Sequence, residues 1–333
     1  MSLLYVSEQG AVLSTKENRI VVTTKDGGTR SVPIETVEGI TLLSPAQMTT
    51  QCTEACLKRG IQVAYFSKGG RYYGRLISTG HVSAPLQRMQ SNLYETGFAM
   101  ELSKKIIKAK IHNQRVVLAR YAKSKGIDVH EYDRTMSFDE KDVLKSISAN
   151  EQMGHEGHAA KAYFGGWSGC IDPDFAFKGR NKRPPMDPFN SMISLGYSIL
   201  MNELYFEIEM RKLNPYFGFL HKDAEAHPTL ASDLMEEWRA VMIDSTVMSM
   251  MNGHEIGKDE FYYDLDEPGC YISRSGLGKY LSKLEHKFIT EMRYLPYVDY
   301  PVSFRRAIGM QIERLAMAIR QQDSSLYMPI YIR

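Results

Sequence analysis

Cysteine is sparse in this chain, four in 333 residues, and no two of them form a Cys-x-x-Cys pair. Cys52 and Cys56 stand four apart, while Cys170 and Cys270 are isolated. This spacing argues against a disulfide framework and predicts buried free thiols in a reducing compartment, with a zinc site the second reading. No apolar run approaches the roughly eighteen residues that cross a bilayer, and the first residues lack the basic–apolar–small order of a secretory signal. Neither a lipidation motif nor an internal repeat is present. A cytoplasmic chain without membrane association is therefore expected. The net charge of +2 is too small to argue for nucleic acid by itself, so such a case rests on local clusters. Glycine-rich phosphate loops are missing too: Gly27-Gly28 reads as a turn, and Lys68-Gly69-Gly70-Arg71 as a basic hairpin tip. No Ser-His-Asp or Cys-His arrangement is evident, which argues against covalent catalysis.

What is present divides in two. Residues 1–82 read as β-rich. Residues 3–6 and 11–13, around Glu8-Gln9-Gly10, predict a hairpin, and a second spans 19–24 and 30–34 around Lys25-Asp26-Gly27-Gly28. Strands are expected at 37–43, 61–66 and 71–77, and a helix at 49–59 stopped by Gly60. After a linker at about 81–85 the period becomes helical. The expected fold is α+β: a small β-sandwich-like platform or dimerisation domain at 1–82, followed by a larger all-α domain at 86–333.

Residues 100–124 carry apolar side chains at 102, 106, 107, 111, 116, 117 and 118. The other face is basic, with Lys104, Lys105, Lys108, Lys110, Arg115, Arg120, Lys123 and Lys125 against Glu101 alone. It reads either as a solvated face or as a track for phosphates. A basic loop follows at 178–185, with Lys178, Arg180, Lys182 and Arg183. It is either a flexible exposed loop or a clamp on a polyanion. Asp187-Pro188 then starts a helix expected to run to 213, with Asn190 and Ser191 in its first turn. Ser137, three residues before Glu140, predicts another helix start.

Two stretches stand out. In Met153-Gly154-His155-Glu156-Gly157-His158, glycine flanks Glu156 in a helical region, at about 1 kcal/mol each relative to alanine. The His-Glu-Gly-His order is not the zinc-protease motif, whose histidines are four apart; His155 and His158 read as accessory or structural. Tyr163 and Trp167 read as core packing, with base stacking the alternative. The second stretch is 215–239, with His221 in a polar loop and Asp233, Glu236 and Glu237 at i, i+3 and i+4 of a helix predicted at 229–239. Three like charges on one face are commonly just solvated, and otherwise need a cation or a basic partner.

Several of these segments resemble one family. KKIIKAKIHNQRVVLAR (104–120), MGHEGHAAKAYF (153–164), RPPMDPFNSMISLGY (183–197) and the 215–239 stretch are similar to the CRISPR-associated endonuclease/integrase of spacer acquisition. The likeness covers nearly the whole chain, including GIQVAYFS and GGRYYGRL near the end of the β-rich part. It implies a prokaryotic, divalent-metal-dependent enzyme that inserts short foreign DNA fragments into a CRISPR array by 3′-hydroxyl attack on a repeat phosphodiester. The implied metal ligands fall on Glu156, His221 and Glu236, with Asp233 in support and Asn190 as a helper. Two carboxylates and one imidazole suit Mg²⁺ or Mn²⁺, and His221 must be neutral to ligate. Lys104, Lys108, Arg115, Lys178, Arg180, Lys182 and Arg183 would hold double-stranded or branched DNA. A homodimer and a small companion adaptation subunit are the implied partners. His158 departs from the small or polar residue usual beside the glutamate, and the tail YMPIYIR from family endings. Two other readings stay open: a transposon-type integrase or branched-DNA nuclease outside CRISPR, and a non-catalytic DNA-binding scaffold with a structural metal.

Overall fold

The computed structural model describes residues 2–67, 70–175, 177–181, 184–263 and 268–333. The chain forms two units, Met1–Val82 and Ser83–Arg333. Lys182, Arg183 and residues 68–69 of the expected hairpin tip lie outside the described residues.

The first unit contains β1 (Ser2–Val6), β2 (Val12–Lys16), β3 (Arg19–Thr23), β4 (Thr29–Pro33), β5 (Val37–Leu42), β6 (Gln47–Met48), α1 (Thr50–Arg59), β7 (Gln62–Phe66) and β8 (Tyr72–Leu76). They make two four-stranded sheets, ordered β1-β5-β7-β8 and β4-β3-β2-β6. The second predicted hairpin is present as β3 against β4. The first is not: β1 pairs in parallel with β5, while β2 joins the other sheet. Gly10 is the reason, since at φ +76° its N–H donates to Pro45 O at 2.6 Å instead of closing a ladder between β1 and β2. Leu13 and Ile20 from one sheet and Ile40, Leu42 and Val63 from the other bury into a common core with Cys52 and Cys56 of α1. All four cysteines are free and buried. Thr49 caps α1 by accepting from Cys52 N at 3.2 Å, and Gly60 ends it at φ +69°.

The second unit is mainly helical: α2 (Ala84–Asn92), α3 (Gly97–Lys125), α4 (His130–Asp142), α5 (Ala149–Trp167), α6 (Pro188–Met210), α7 (Thr229–Met235), a π-helix (Arg239–Asp244), α8 (Ser245–Asn252), α9 (Arg274–Ile289) and α10 (Phe304–Gln321). Two short antiparallel ribbons interrupt it, β9 (Phe261–Tyr263) with β10 (Cys270–Ile272), and β11 (Glu291–Met292) with β12 (Val302–Ser303). The long α3 packs against α4, α5, α7 and the π-helix. Its buried side includes Leu102, Ile106, Ile107, Lys110, Asn113, Gln114 and Val117.

The helix start expected at Ser137 is corrected: α4 runs straight through it. Asp128 supplies that N-terminal stop instead, accepting from His130 N at 2.9 Å. At α5, Ser148 caps the helix by accepting from Glu151 N at 3.3 Å, and the Glu151 carboxylate accepts from Ile147 N, one residue before the cap, at 2.8 Å. Asp187 caps α6 through Asn190 N at 2.8 Å.

Candidate active site

His221 sits in a loop that Asp233 organises. Asp233 is fully buried and accepts from the backbone N–H groups of Phe219 at 2.6 Å, Leu220 at 3.0 Å and His221 at 3.0 Å. It also pairs with His221 Nδ1 at 2.7 Å. A carboxylate so satisfied fixes both loop and ring, leaving Nε2 as the outward nitrogen. Gly218 is needed at the crossing, because a Cβ there would lie 2.7 Å from Asp233 Oδ2 and 2.8 Å from Thr229 Cβ. Gln90 holds the base of the loop, donating to Asn214 O at 2.9 Å and Phe217 O at 2.8 Å.

His221 Nε2 lies 3.8 Å from Glu236 Oε1, and Arg239 reaches the same oxygen at 3.1 Å. On the other side Lys110 Nζ pairs with Glu236 Oε2 at 2.5 Å and also with Glu156. Two of the expected ligands, Glu156 and Glu236, therefore meet at an ammonium that the sequence pattern places on a basic face, and the third, His221, stands at the other oxygen of Glu236. Lys110 is buried, with 5% of its side chain exposed. Its phase had carried the signal: residue 110 follows 106 and 107 and precedes 113, 114 and 117 on the stripe that packs inward.

Burial opposes charge on Lys110, but Glu236 and Glu156 outweigh it and raise its pKa. Burial also pushes Glu236 up, yet Arg239, Lys110 and His221 bring it down to about 2. For His221, burial is outweighed by the Asp233 hydrogen bond and the charges of Glu236 and Asp233, so its pKa is raised. Exposure is graded across the group: 29% for the His221 side chain and 19% for Glu156, against 2% for Glu236. The site thus opens to solvent on the side of Glu156 and His221.

Among the described residues no three His, Cys, Asp or Glu side chains gather closely enough to hold an ion unaided. The donor chemistry still fits a hard divalent cation. Two carboxylates already share one positive charge, Glu236 Oε2 is buried without a well-oriented hydrogen bond, and His221 has its far nitrogen anchored by a carboxylate. A divalent ion held by Glu156 and Glu236 would take the place of the Lys110 ammonium between them.

The common face expected for Asp233, Glu236 and Glu237 is corrected. All three are buried, at 0%, 3% and 0% exposure, and they point to different partners. The predicted helix at 229–239 ends as an α-helix at Met235 and resumes as a π-helix at Arg239. That change of winding turns Glu237 away from the site, toward the C-terminal tail. There it accepts from Ile330 N at 2.7 Å and Gln311 Nε2 at 3.3 Å, and from the Tyr327 hydroxyl. Asn113 ties the same tail to α3, donating to Glu237 O at 2.9 Å and Ile330 O at 3.0 Å and accepting from Ile332 N at 3.0 Å. Nothing in the tail's composition pointed to this docking.

Asn190 lies away from the ligands. It accepts from Arg180 at 2.8 Å and donates to Gly179 O at 2.8 Å, holding the 179–181 loop to the start of α6. Arg180 is drawn inward, bonded also to Ser194 at 3.1 Å and stacked 5.7 Å from the Tyr197 ring centroid. Lys104 pairs with Glu101 at 2.8 Å, and Arg115 bridges Asp133 and Glu140. Lys108 lies 6.0 Å from the Tyr331 ring centroid. These cations are already partnered, so α3 offers an anion fewer free charges than its sequence suggests; Lys178 is exposed. His155 and His158 both turn to Asp139, at 2.9 and 2.8 Å, and away from the site.

Behind the site Asp244 is fully buried and accepts from the hydroxyls of Tyr163 at 2.8 Å and Tyr197 at 2.6 Å. Tyr163 and Trp167 are core residues with no exposed surface. Burial outweighs those hydroxyls and the nearby Arg180 and Arg239, lifting Asp244 from 3.8 to about 6. The folded form thus holds this proton more tightly than the unfolded chain. The resulting stabilisation is complete below pH 3.8 and lost as pH rises through about 6, amounting to about 3 kcal/mol. Chemical denaturation across that window should show Asp244→Asn losing less stability with rising pH than the native chain; parallel profiles would refute the assignment.

The model of the family described as "CRISPR associated protein Cas1" matches residues 4–286. A CRISPR-associated endonuclease Cas1 from Mycobacterium tuberculosis H37Rv is 37% identical over 334 residues, covering 100% of this chain and 98% of that protein. Among solved structures, a casposase bound to integration product superposes with a TM-score of 0.86 at 19% identity, over 98% of this chain and 93% of that one. A Cas6-RT-Cas1–Cas2 complex gives the same TM-score of 0.86 at 22% identity, covering all of this chain and 36% of that one, so this chain spans about a third of its length.

Proposed function

The chain belongs to the CRISPR-associated Cas1 family, and on that footing we propose that it is a DNA endonuclease and integrase that inserts short DNA fragments into a CRISPR array. The observation that supports the chemistry is that Glu156 and Glu236 share the Lys110 ammonium while His221 Nε2 stands 3.8 Å from the other oxygen of Glu236, on the side open to solvent. A Mg²⁺ or Mn²⁺ ion held there would neutralise phosphate charge and lower the pKa of an attacking 3′-hydroxyl or water.

The chain's own residues prepare the place. Asp233 holds the His221 ring by Nδ1, Arg239 and Lys110 keep Glu236 ionised, and the buried wall behind Glu236 limits water to the open side. His221 has a raised pKa and must lose its proton to ligate, so activity falls on the acid side. Double-stranded or branched DNA is the substrate class, and a homodimer with a small companion adaptation subunit is the working assembly. The relative named a casposase is similar in fold, whereas the 37% identity is to a CRISPR-associated endonuclease; this favours the CRISPR reading over a transposon enzyme. The gathered ligand set also favours an enzyme over a scaffold.

Metal removal tests the proposal. After dialysis against chelator, cleavage and joining of branched DNA should cease, and Mn²⁺ or Mg²⁺ should restore both. Undiminished product in chelator would refute metal dependence.

A further inference from the structure

A cavity of about 510 Å³, apart from the candidate site, lies between α3, α8 and α9. That is within the range of small-ligand pockets. Arg120, Lys283, His286 and Lys287 line it, together with hydroxyls such as Ser245, Thr246 and Ser249. Val117, Val241, Met292 and Phe304 give it an apolar side. The acidic wall residue Glu291 is exposed, and Lys283 is taken by Glu255 at 2.6 Å.

Lys287 is different. Its ammonium lies 4.9 Å from the Phe304 ring centroid, and among the described residues no carboxylate pairs with it. Burial, then the charge of Arg120, pushes its pKa down to about 8. Arg120 donates to the main-chain oxygen of Arg333. The Lys287 ammonium, half-buried beside a guanidinium and without a carboxylate partner among the described residues, is costly unless an anion completes it.

We infer that this cavity binds a phosphorylated ligand of nucleotide size, its phosphate held by Lys287 and Arg120, its hydroxyls by the Ser245–Ser249 turn, and its ring against the apolar side. The ligand is a free nucleotide or the 5′-terminal nucleotide of a strand. This goes beyond the integrase reading and does not depend on it.

Titration calorimetry on the full chain tests it with three probes: ATP, a short 5′-phosphorylated single strand, and the same strand with a 5′-hydroxyl. Binding of ATP identifies the free nucleotide as the source. Tighter binding of the phosphorylated strand than of its hydroxyl counterpart identifies the strand end. In either case Lys287→Met should weaken binding roughly tenfold or more, while its melting temperature equals or exceeds that of the native chain because a buried unpaired charge is gone. Arg120→Gln serves as the second variant and should weaken the same probe. The inference is overturned if neither ATP nor the 5′-phosphate is bound, or if both variants bind as the native chain does.

Discussion

Glu156→Gln and His221→Ala proteins are expected to cleave and join branched DNA roughly a hundred- to ten-thousandfold more slowly than the native chain. The estimate follows from the several kcal/mol of transition-state charge stabilisation that a positioned divalent ion supplies, each 1.36 kcal/mol being tenfold in rate. Both side chains lie at the open side of the site, with 19% and 29% exposure, so their replacement removes a donor without cutting into the core. DNA binding, measured by anisotropy under the same salt, should change little, because neither residue adds positive charge toward phosphate at neutral pH when it ligates an ion. Single-turnover joining assays read the first effect directly. Native rates in either variant would remove these two residues from the catalytic set.

The second large effect is expected at Lys110. Its ammonium stands between the carboxylates of Glu156 and Glu236, and Glu236 is almost fully buried. Lys110→Met keeps the length and apolar stem of the side chain but leaves those carboxylates facing each other. Removing one partner of a buried ionic cluster costs roughly 3–5 kcal/mol, softened here because Arg239 still reaches Glu236 at 3.1 Å. In chelator the variant should therefore melt well below the native chain. Added Mn²⁺ should recover more stability in the variant than in the native chain, since the ion then meets uncompensated carboxylates and no competing ammonium. Equal Mn²⁺-induced shifts in both would mean that Lys110 does not share its place with a cation.

The contrast between Glu236 and Glu237 shows how far a one-dimensional pattern reaches. Spacing of i, i+3 and i+4 put them on one face with Asp233, and composition made that face a solvated one. In the folded chain each carboxylate is buried with its own partners: loop N–H groups for Asp233, cations for Glu236, and the tail for Glu237. Periodicity assumes constant winding, and the passage from α-helix to π-helix between Met235 and Arg239 breaks that assumption. Charge counting fails on α3 for a related reason. Lys110 and Lys104 look alike in a composition, yet one faces the core and the other a neighbouring glutamate. The first predicted hairpin fails because turn residues announce a reversal without saying which strand receives the chain.

By itself the amino-acid order determined the division into a strand-rich first part and a helical second part, the stops at Gly60 and Asp187, and the thiol state of the cysteines. All of these are local or compositional properties, set by backbone sterics, capping and the period of apolar residues. It also marked Glu156, His221 and Glu236 by their likeness to a family. Only the tertiary structure decided that Glu156 and Glu236 meet at the Lys110 ammonium with His221 beside Glu236, that Arg180 and Asn190 serve a loop, and that the tail docks on Glu237 and Asn113. Those outcomes depend on burial and on partners distant in sequence. A carboxylate's role follows from the charges that surround it once water is excluded, and no residue carries that information in its own neighbourhood along the chain.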